Sequence, residues 1–429
     1  MGAAQQFPSP SYSKILFSRA ATLKKTWEKN FVSPQAGHAV AHFQISSDTD
    51  WENAKNPAAL LEATVDERLA SHVVTFMGRV NGGHIYSIHL GFLNAGHHEL
   101  ALQRVDSSHA AIKLHNVRLD VYSANHPFYS VLVHAPVIFG RHPDMRTSDV
   151  PLLMAYEKNS SNATEEIKYT VYFSNENGGT PPPGLLHLWG RYTDIEWAYR
   201  VELDAAHKRQ RAFFQGRDHQ EFPYLGSFEN SQPALQVATA NNMFSDSLTT
   251  KLRFALPPFY EMPANGLRES VMLDAPWTWR VSAKEARREQ RLNSNSTDST
   301  RIADLQRYLY IQFVAEPEIA GVKAGGYFKI KYKNDPNEYT SNLGSPRLII
   351  RSDQKIVRQT AVPLPTRHAT DDLERLEFIA DSNGGGLLFK NVLRLFALDE
   401  NDLWREWKQS WRGSLRLAAG QNVVLFGQP

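Results

Sequence analysis

Short runs of alternating apolar and polar residues recur along this sequence at intervals of about ten residues. Gly, Asn and Ser separate these runs. Because successive side chains of a strand point to opposite faces, such runs are typical of the short strands of a β-sandwich. The pattern therefore predicts an all-β fold with several β-sandwich domains and a few short helices. Examples in the first third are 39–46 (AVAHFQIS), 71–80 (SHVVTFMGRV), 84–93 (HIYSIHLGFL) and 98–105 (HELALQRV).

Changes in composition predict the domain boundaries. The first segment is mixed and rich in Ser and Lys, and it is expected to form an arm or a short helix. A run with many prolines begins near residue 126, and a polar run (NSNSTDST) suggests a linker. The predicted parts are an N-terminal arm (1–35), an accessory β-sandwich (36–125), a central β-sandwich (126–292), a linker (293–300) and a C-terminal β-sandwich (301–429).

One late segment predicts a helix instead of a strand. In LWREWKQSW, Trp404, Trp407 and Trp411 are spaced i, i+3 and i+7, which would align them on one face of a helix. Such a stripe packs on a sheet or, less often, serves as an aromatic platform for sugars.

Composition excludes several classes of function. The 429 residues include no cysteine, which rules out thiolate catalysis, cysteine-ligated zinc and disulfides. The formal net charge is only +2, which argues against a nucleic-acid partner. No apolar run approaches the roughly 18 residues that cross a bilayer. Avoidance of cysteine favours a secreted or periplasmic protein whose signal peptide has been removed. A cytoplasmic location stays open, and oligomeric state is not indicated.

Two long runs in the central region predict paired strands. IKYTVYFSN (167–175) and DIEWAYRVELD (194–204) both alternate, and pairing across NENGGTPPPG (175–184) would join their apolar faces in one core. Trp197 is then expected in that core. Asp194 and Glu196 are expected on the opposite face with Arg200, roughly 7 Å from each other.

Two carboxylates at this spacing repel each other unless a cation, an arginine or water lies between them. One interpretation is a solvated sheet face on which Arg200 neutralises one carboxylate. The other is a Ca²⁺ or Mg²⁺ site at Asp194 and Glu196, with Glu176 as a further oxygen ligand. Asp218 and His219 are the catalytic candidates, since His219 is the natural partner for proton transfer.

The segment GRYTDIE (190–196) resembles the heptapeptide GHRHDWE of the necrosis-inducing protein family and the related GDWE motif of plant vacuolar-sorting-associated proteins. Gly190, Asp194 and Glu196 match, whereas Arg191, Tyr192, Thr193 and Ile195 depart from the motif. The resemblance covers residues 169–246. It implies a β-sandwich that holds a divalent cation through Asp194 and Glu196 and that binds sphingolipid head groups at a membrane. Arg191 is expected to contact only the ligand.

A second group of polar residues lies in HAPVIFGRHPDMRTSDVP (134–151). Its prolines suggest an irregular loop, and loops supply binding residues more often than strands do. His134, Arg141 and His142 are therefore predicted to bind ligand, while ordinary Arg–Asp ion pairs are the alternative.

These features predict a secreted or periplasmic β-sandwich protein that binds a glycan or glycolipid, with a divalent cation at the D-x-E strand. The alternative is a metal-assisted polysaccharide or phosphoester hydrolase or lyase, with its site in the central domain. Whether the protein is an enzyme stays open.

Overall fold

The computed structural model describes residues 8–105, 110–142, 147–161, 164–262, 266–292, 300–364, 372–407 and 411–426. Antiparallel strands dominate and the helices are few and short, so the predicted all-β class is confirmed. The chain forms two compact units. Unit 1 comprises Met1–Gly179 and Asp194–Asn265, and unit 2 comprises Thr180–Thr193 and Gly266–Pro429. Within the described ranges, no helix is long and apolar enough to span a membrane.

The first sandwich of unit 1 consists of a sheet in the order β1-β9-β4-β7, with β2 beside β9, and a sheet in the order β3-β8-β5-β6. The rings of Trp27 and Phe43 meet between the two sheets at 6.4 Å. The segment expected to be an arm or a helix thus supplies strands, because its apolar residues are buried in this core. The strands are β1 (Tyr12–Phe17), β2 (Ala21–Thr22), β3 (Thr26–Ser33), β4 (Gly37–Ser47), β5 (Leu60–Val65), β6 (Arg68–Val74), β7 (His84–Leu93), β8 (Gly96–Arg104) and β9 (Ile112–Tyr122).

The second sandwich of unit 1 carries the predicted site. Its larger sheet has the order β15-β14-β13-β12-β11-β20, and the facing sheet has the order β16-β17-β10-β19, with β18 beside β17. Phe173 and Phe244 meet between the sheets, with ring centres 6.2 Å apart. The elements are α1 (Tyr129–Val133), β10 (Val137–Phe139), β11 (Pro151–Ser160), β12 (Thr164–Phe173), β13 (Asp194–Asp204), β14 (Arg209–Gln215), a 3₁₀ turn (Arg217–His219), β15 (Glu221–Pro223), β16 (Phe228–Glu229), β17 (Gln232–Val237), β18 (Phe244–Ser245), β19 (Arg253–Phe254) and β20 (Tyr260–Glu261).

Unit 2 is a third sandwich with helices beside it. One sheet has the order β25-β21-β27-β28, with β29 on β27, and the other has the order β23-β22-β26-β30, with β24 on β22. Phe313 and Phe328 meet between them at 5.0 Å. The elements are α2 (Pro182–Trp189), α3 (Ser270–Asp274), α4 (Trp277–Arg288), 3₁₀ turns (Leu305–Arg307 and Pro346–Leu348), β21 (Tyr308–Pro317), β22 (Ala324–Tyr332), β23 (Glu338–Thr340), β24 (Ile350–Ser352), β25 (Ile356–Pro363), β26 (Leu373–Ala380), β27 (Leu387–Leu398), β28 (Trp404–Trp407), β29 (Trp411–Leu417) and β30 (Asn422–Phe426).

The helix predicted at 403–411 is wrong. Trp404 and Trp407 lie in β28, and Trp411 begins β29; both strands pair with β27. The tryptophans reach different neighbours, since Trp404 packs on Phe396 and Trp411 on Phe389. The predicted linker, apart from Thr300, lies outside the described residues.

Candidate functional site

A β-bulge in β13 determines where the two predicted metal ligands point. β12 and β13 pair antiparallel as predicted, with Tyr169 opposite Tyr199, but the register shifts so that Val171 lies opposite Glu196 and Ala198 is the extra residue. Directly opposed residues share a face of a sheet. Asp194 and Glu196 therefore lie on the interior face with Tyr199, at the end of the sandwich.

The face predicted for these carboxylates is wrong. They share a face with each other as predicted, but it is the interior face, and the bulge leaves Arg200 on the other side. Arg200 instead binds Glu166 at 2.7 Å and Glu221 at 2.7 Å, and neutralises neither predicted ligand. Trp197 is also displaced from the core face and is only half-buried.

Asp194 is held by the loop that precedes β18. Its side chain is 1% exposed. Its Oδ1 accepts a hydrogen bond from the Ile195 backbone at 2.9 Å, and its Oδ2 accepts one from Asn242 Nδ2 at 2.9 Å. Asn242 Nδ2 also donates to the Asn175 carbonyl at 3.1 Å, which ties this loop to the end of β12.

Asn242 offers a further oxygen. Its side chain is buried, and its Oδ1 has no hydrogen-bond partner among the residues that the structure describes. A buried amide oxygen without a donor is costly, so such an atom commonly meets water, a ligand or a cation. The backbone φ of Asn242 is +54°, a left-handed conformation that Asn tolerates better than most residues.

Glu196 and His219 lie side by side at the more exposed edge of the site. Glu196 Oε2 is 3.7 Å from His219 Nδ1, with 12% of the glutamate side chain and 59% of the histidine exposed. The Glu196 carboxylate is the main cause that raises the pKa of His219, and the Glu176 and Asp218 charges add to it. Asp218 itself points to solvent beside Arg217. The structure thus brings His219, but not Asp218, against a predicted ligand.

Glu176 lies in the turn that follows β12, where its charge acts on His219. Gly179 in this turn has a φ of +91°, which favours glycine, and a Cβ there would collide with Glu176 Oε1 and with Asn241. The turn therefore keeps the Glu176 side chain close to its own backbone. We call Asp194, Glu196, Glu176 and Asn242 the oxygen cluster.

The oxygen cluster matches a hard cation in the type of its donors but is not a complete site by itself. Carboxylate and amide oxygens are the ligands that Ca²⁺ and Mg²⁺ prefer. Within the described ranges, however, no three His, Cys, Asp or Glu side chains converge in an arrangement that could hold a metal ion. Any cation here would take part of its coordination from other oxygens.

The first part of the GRYTDIE segment has a structural role in unit 2. Gly190 ends α2 with a φ of +61°, and a Cβ there would lie 2.8 Å from the Thr360 backbone nitrogen. Arg191 is buried, and its Nε donates to Glu269 Oε1 at 3.0 Å. These contacts account for Gly190 and Arg191 without a ligand, so the expectation that Arg191 contacts only ligand is not met.

The remaining binding candidates do not form one cluster. Arg141 Nη2 lies 3.1 Å from Asp149 Oδ2, which is the ion pair foreseen as the alternative. His142 is exposed. His134 is buried elsewhere, in a cleft beside α1. The intervening residues 143–146 lie outside the described residues.

Sequence reasoning missed Asn242. It lies 48 positions from Asp194, in a loop whose only signal is the polar pair Asn241-Asn242 before a short apolar run. The packing of the two sheets brings the loop that contains Asn242 to Asp194, and this packing has no signature in the sequence near either residue.

Comparison with known proteins gives weak similarities. No family model matches the chain, and no curated protein matches it. Among solved structures, NLPPya in complex with mannosamine is 10% identical with a TM-score of 0.23, over 35% of this chain and 77% of that one. Necrosis and Ethylene inducing Protein 2 from the agent of cocoa's Witches Broom disease is 12% identical with a TM-score of 0.23, over 37% and 81%. A Podospora anserina β-(1,4)-mannanase is 9% identical with a TM-score of 0.17, over 29% and 28%. Similarities of this size establish neither the fold nor the function of this chain.

Proposed function

We propose that this protein binds a glycan or the head group of a glycolipid at the oxygen cluster, through a Ca²⁺ or Mg²⁺ ion that joins the protein to sugar hydroxyls. The supporting observation is the bulge at Ala198, which puts Asp194 and Glu196 on the interior face of the sheet with Tyr199. Asn242, with its buried Oδ1, lies beside Asp194 on that face.

The incomplete ligand set suits a cation that is shared with a sugar. Ca²⁺ takes about six to eight oxygen ligands, and hydroxyl groups are oxygen ligands too. The oxygen cluster supplies carboxylates and one amide oxygen, and vicinal hydroxyls would supply others. Protein, cation and glycan would then each need the other two for tight binding.

A secreted or periplasmic location accords with this proposal. Protein modules outside the cell commonly bind Ca²⁺ with dissociation constants of about 10⁻⁴ to 10⁻³ M, which suits a site with few fixed ligands. The absence of cysteine fits such a compartment as well.

Binding to a glycan array, scored with Ca²⁺, with Mg²⁺ and with EDTA, tests the proposal. We expect binding that requires a cation and that falls at least about tenfold in Asp194→Asn and in Glu196→Gln, since each removes a charged ligand. Glu28→Gln is the matched control, because Glu28 is an exposed strand carboxylate of unit 1. Its binding should equal that of the wild type.

Two outcomes would overturn the proposal. Equal glycan binding with EDTA and with Ca²⁺ would remove the cation from recognition. Cation-dependent cleavage of a polysaccharide or phosphoester, lost in His219→Ala, would make the protein a hydrolase or lyase. The second outcome is the alternative that the contact between His219 and Glu196 favours, since a histidine with a raised pKa can donate a proton.

A further inference from the structure

A separate cleft of about 540 Å³ lies beside α1, in unit 1. Its walls come from the chain that leads into α1, from the end of β11 and from the turn between β13 and β14. Tyr129, His134, Lys158 and His207 line it. Asp194 begins β13 and this turn follows its other end, so about 33 Å of an 11-residue strand separate the cleft from the oxygen cluster.

His134 gives the cleft a buried hydrogen-bond acceptor. The side chain is 6% exposed, and its Nδ1 has no hydrogen-bond partner among the described residues. Burial lowers the pKa of His134 to about 4, against the effect of a hydrogen bond that the ring donates to the His207 backbone. The neutral ring has only one N–H, so Nδ1 carries a lone pair that requires an O–H or N–H donor.

The charges of the cleft are already balanced. Lys158 Nζ lies 2.7 Å from Glu165 Oε2. The other oxygen of Glu165 accepts a hydrogen bond from Ser130 Oγ at 3.4 Å and lies 3.7 Å from His207 Nδ1. An anionic ligand would find Lys158 already paired with Glu165 and the His134 ring uncharged. A neutral ligand with hydroxyl groups could donate a hydrogen bond to the His134 imidazole and accept one from the Lys158 ammonium.

Tyr129 supplies an aromatic surface. Its ring is half-buried and is supported from one side by His38, edge to face at 5.2 Å. Ring contacts of this kind fix the orientation of an aromatic side chain. A fixed phenol ring can pack on the apolar C–H face of a pyranose while its hydroxyl stays available for hydrogen bonding.

We propose that this cleft is a second, cation-independent site that binds a neutral pyranose unit. A sugar hydroxyl donates to His134 Nδ1, a neighbouring hydroxyl accepts from Lys158, and Tyr129 packs on the C–H face of the ring. The site does not depend on the oxygen cluster, and either could exist without the other.

Isothermal titration calorimetry in the presence of EDTA tests this site. The ligands are methyl mannoside, methyl glucoside, N-acetylglucosamine and cellobiose, with glucuronate as the anionic comparison. We expect at least one neutral sugar to bind and to bind more tightly than glucuronate. Tyr129→Ala and His134→Phe should each weaken that binding by about tenfold. His134→Gln keeps an acceptor and should retain more binding than His134→Phe.

Controls separate this site from the oxygen cluster and from misfolding. His97→Phe, at an exposed histidine of unit 1, should leave sugar binding unchanged, and so should Asp194→Asn. If a cleft variant unfolds, NMR of the wild-type protein decides: the bound sugar should shift the signals of Tyr129, Lys158 and His207. The proposal is overturned if no neutral sugar binds in EDTA, if glucuronate binds more tightly, or if folded cleft variants bind as the wild type does.

Discussion

His219 is the residue through which pH acts on the oxygen cluster. Glu196, with Glu176 and Asp218, raises its pKa above the ordinary value, so the imidazolium persists to a higher pH than in the unfolded chain. Its interaction with Glu196 is therefore fully present below the unfolded pKa of about 6.5 and is lost as the pH rises through the folded pKa. Acidification should charge His219 beside the cluster and oppose cation binding.

The contact with Glu196 gives a testable prediction for the pKa of His219. In Glu196→Gln the largest cause of the shift is gone, so the pKa of His219 should fall toward its ordinary value. NMR of the imidazole signals across pH 5 to 9 measures it, and Glu28→Gln serves as the unperturbed comparison. A His219 titration that is identical in the wild type and in Glu196→Gln would contradict the contact between these two side chains.

At the scale of elements, the bulge in β13 is the feature on which the oxygen cluster depends. If the same residues paired without the bulge, strict two-residue alternation would run through Ala198, and Asp194 and Glu196 would turn away from Asn242. Ile195, which is now buried on the opposite face, would have to exchange places with a carboxylate. The register of β13 therefore determines both packing and chemistry.

Deletion of Ala198 tests whether it is the extra residue. Because Ala198 has no partner on β12, its removal should convert the bulge to regular pairing and keep Asp194 and Glu196 on the interior face. We expect the free energy of unfolding to fall by no more than about 1 kcal/mol and cation-dependent glycan binding to be retained. Deletion of Val201, which pairs with Ile167, is the comparison and should cost at least about 2 kcal/mol, because Tyr199 and Arg200 would have to exchange faces. Chemical denaturation and the glycan array measure both variants, and an equal loss of stability in the two would contradict the position of the bulge.

The elements show what local pattern can and cannot predict. Alternation in 167–175 and 194–204 predicted the pairing of β12 with β13, because a half-buried strand must repeat every two residues. Ala198 gave no sign of the bulge, since a small apolar residue fits either face. The spacing of Trp404, Trp407 and Trp411 suggested a helix, but two short strands separated by residues 408–410 fit it equally well.

At the scale of the molecule, composition did not indicate how the segments of the chain are grouped into units. Unit 2 takes Thr180–Thr193 out of the middle of unit 1. The turn NENGGTPPPG was expected to be a simple hairpin connection, yet the chain continues into α2 before it returns at Asp194. The reason is long-range packing, because α2 contacts β25, which lies about 170 residues later in the chain. A contact over this distance has no signature in the local sequence pattern.

The contacts of α2 predict that a C-terminal piece without α2 is less stable than the complete unit 2. His187 Nδ1 lies 3.0 Å from the Ala361 carbonyl, Thr360 Oγ1 donates to the His187 carbonyl at 2.7 Å, and Gln359 Nε2 donates to the Gly190 carbonyl at 2.6 Å. All are buried, so a fragment of residues 266–429 should lose about 3 kcal/mol of unfolding free energy relative to one that includes α2. Residues 180–193 joined to the N-terminus of this fragment by a flexible Gly/Ser linker should restore that stability.

The matched control carries the same linker and a scrambled version of residues 180–193. Thermal and urea unfolding, followed by circular dichroism, compare the bare fragment, the fragment with the native segment and the fragment with the scrambled segment. Equal unfolding free energies in all three would mean that α2 adds nothing to this sandwich, whereas recovery only with the native segment would establish that unit 2 is assembled from both parts of the chain.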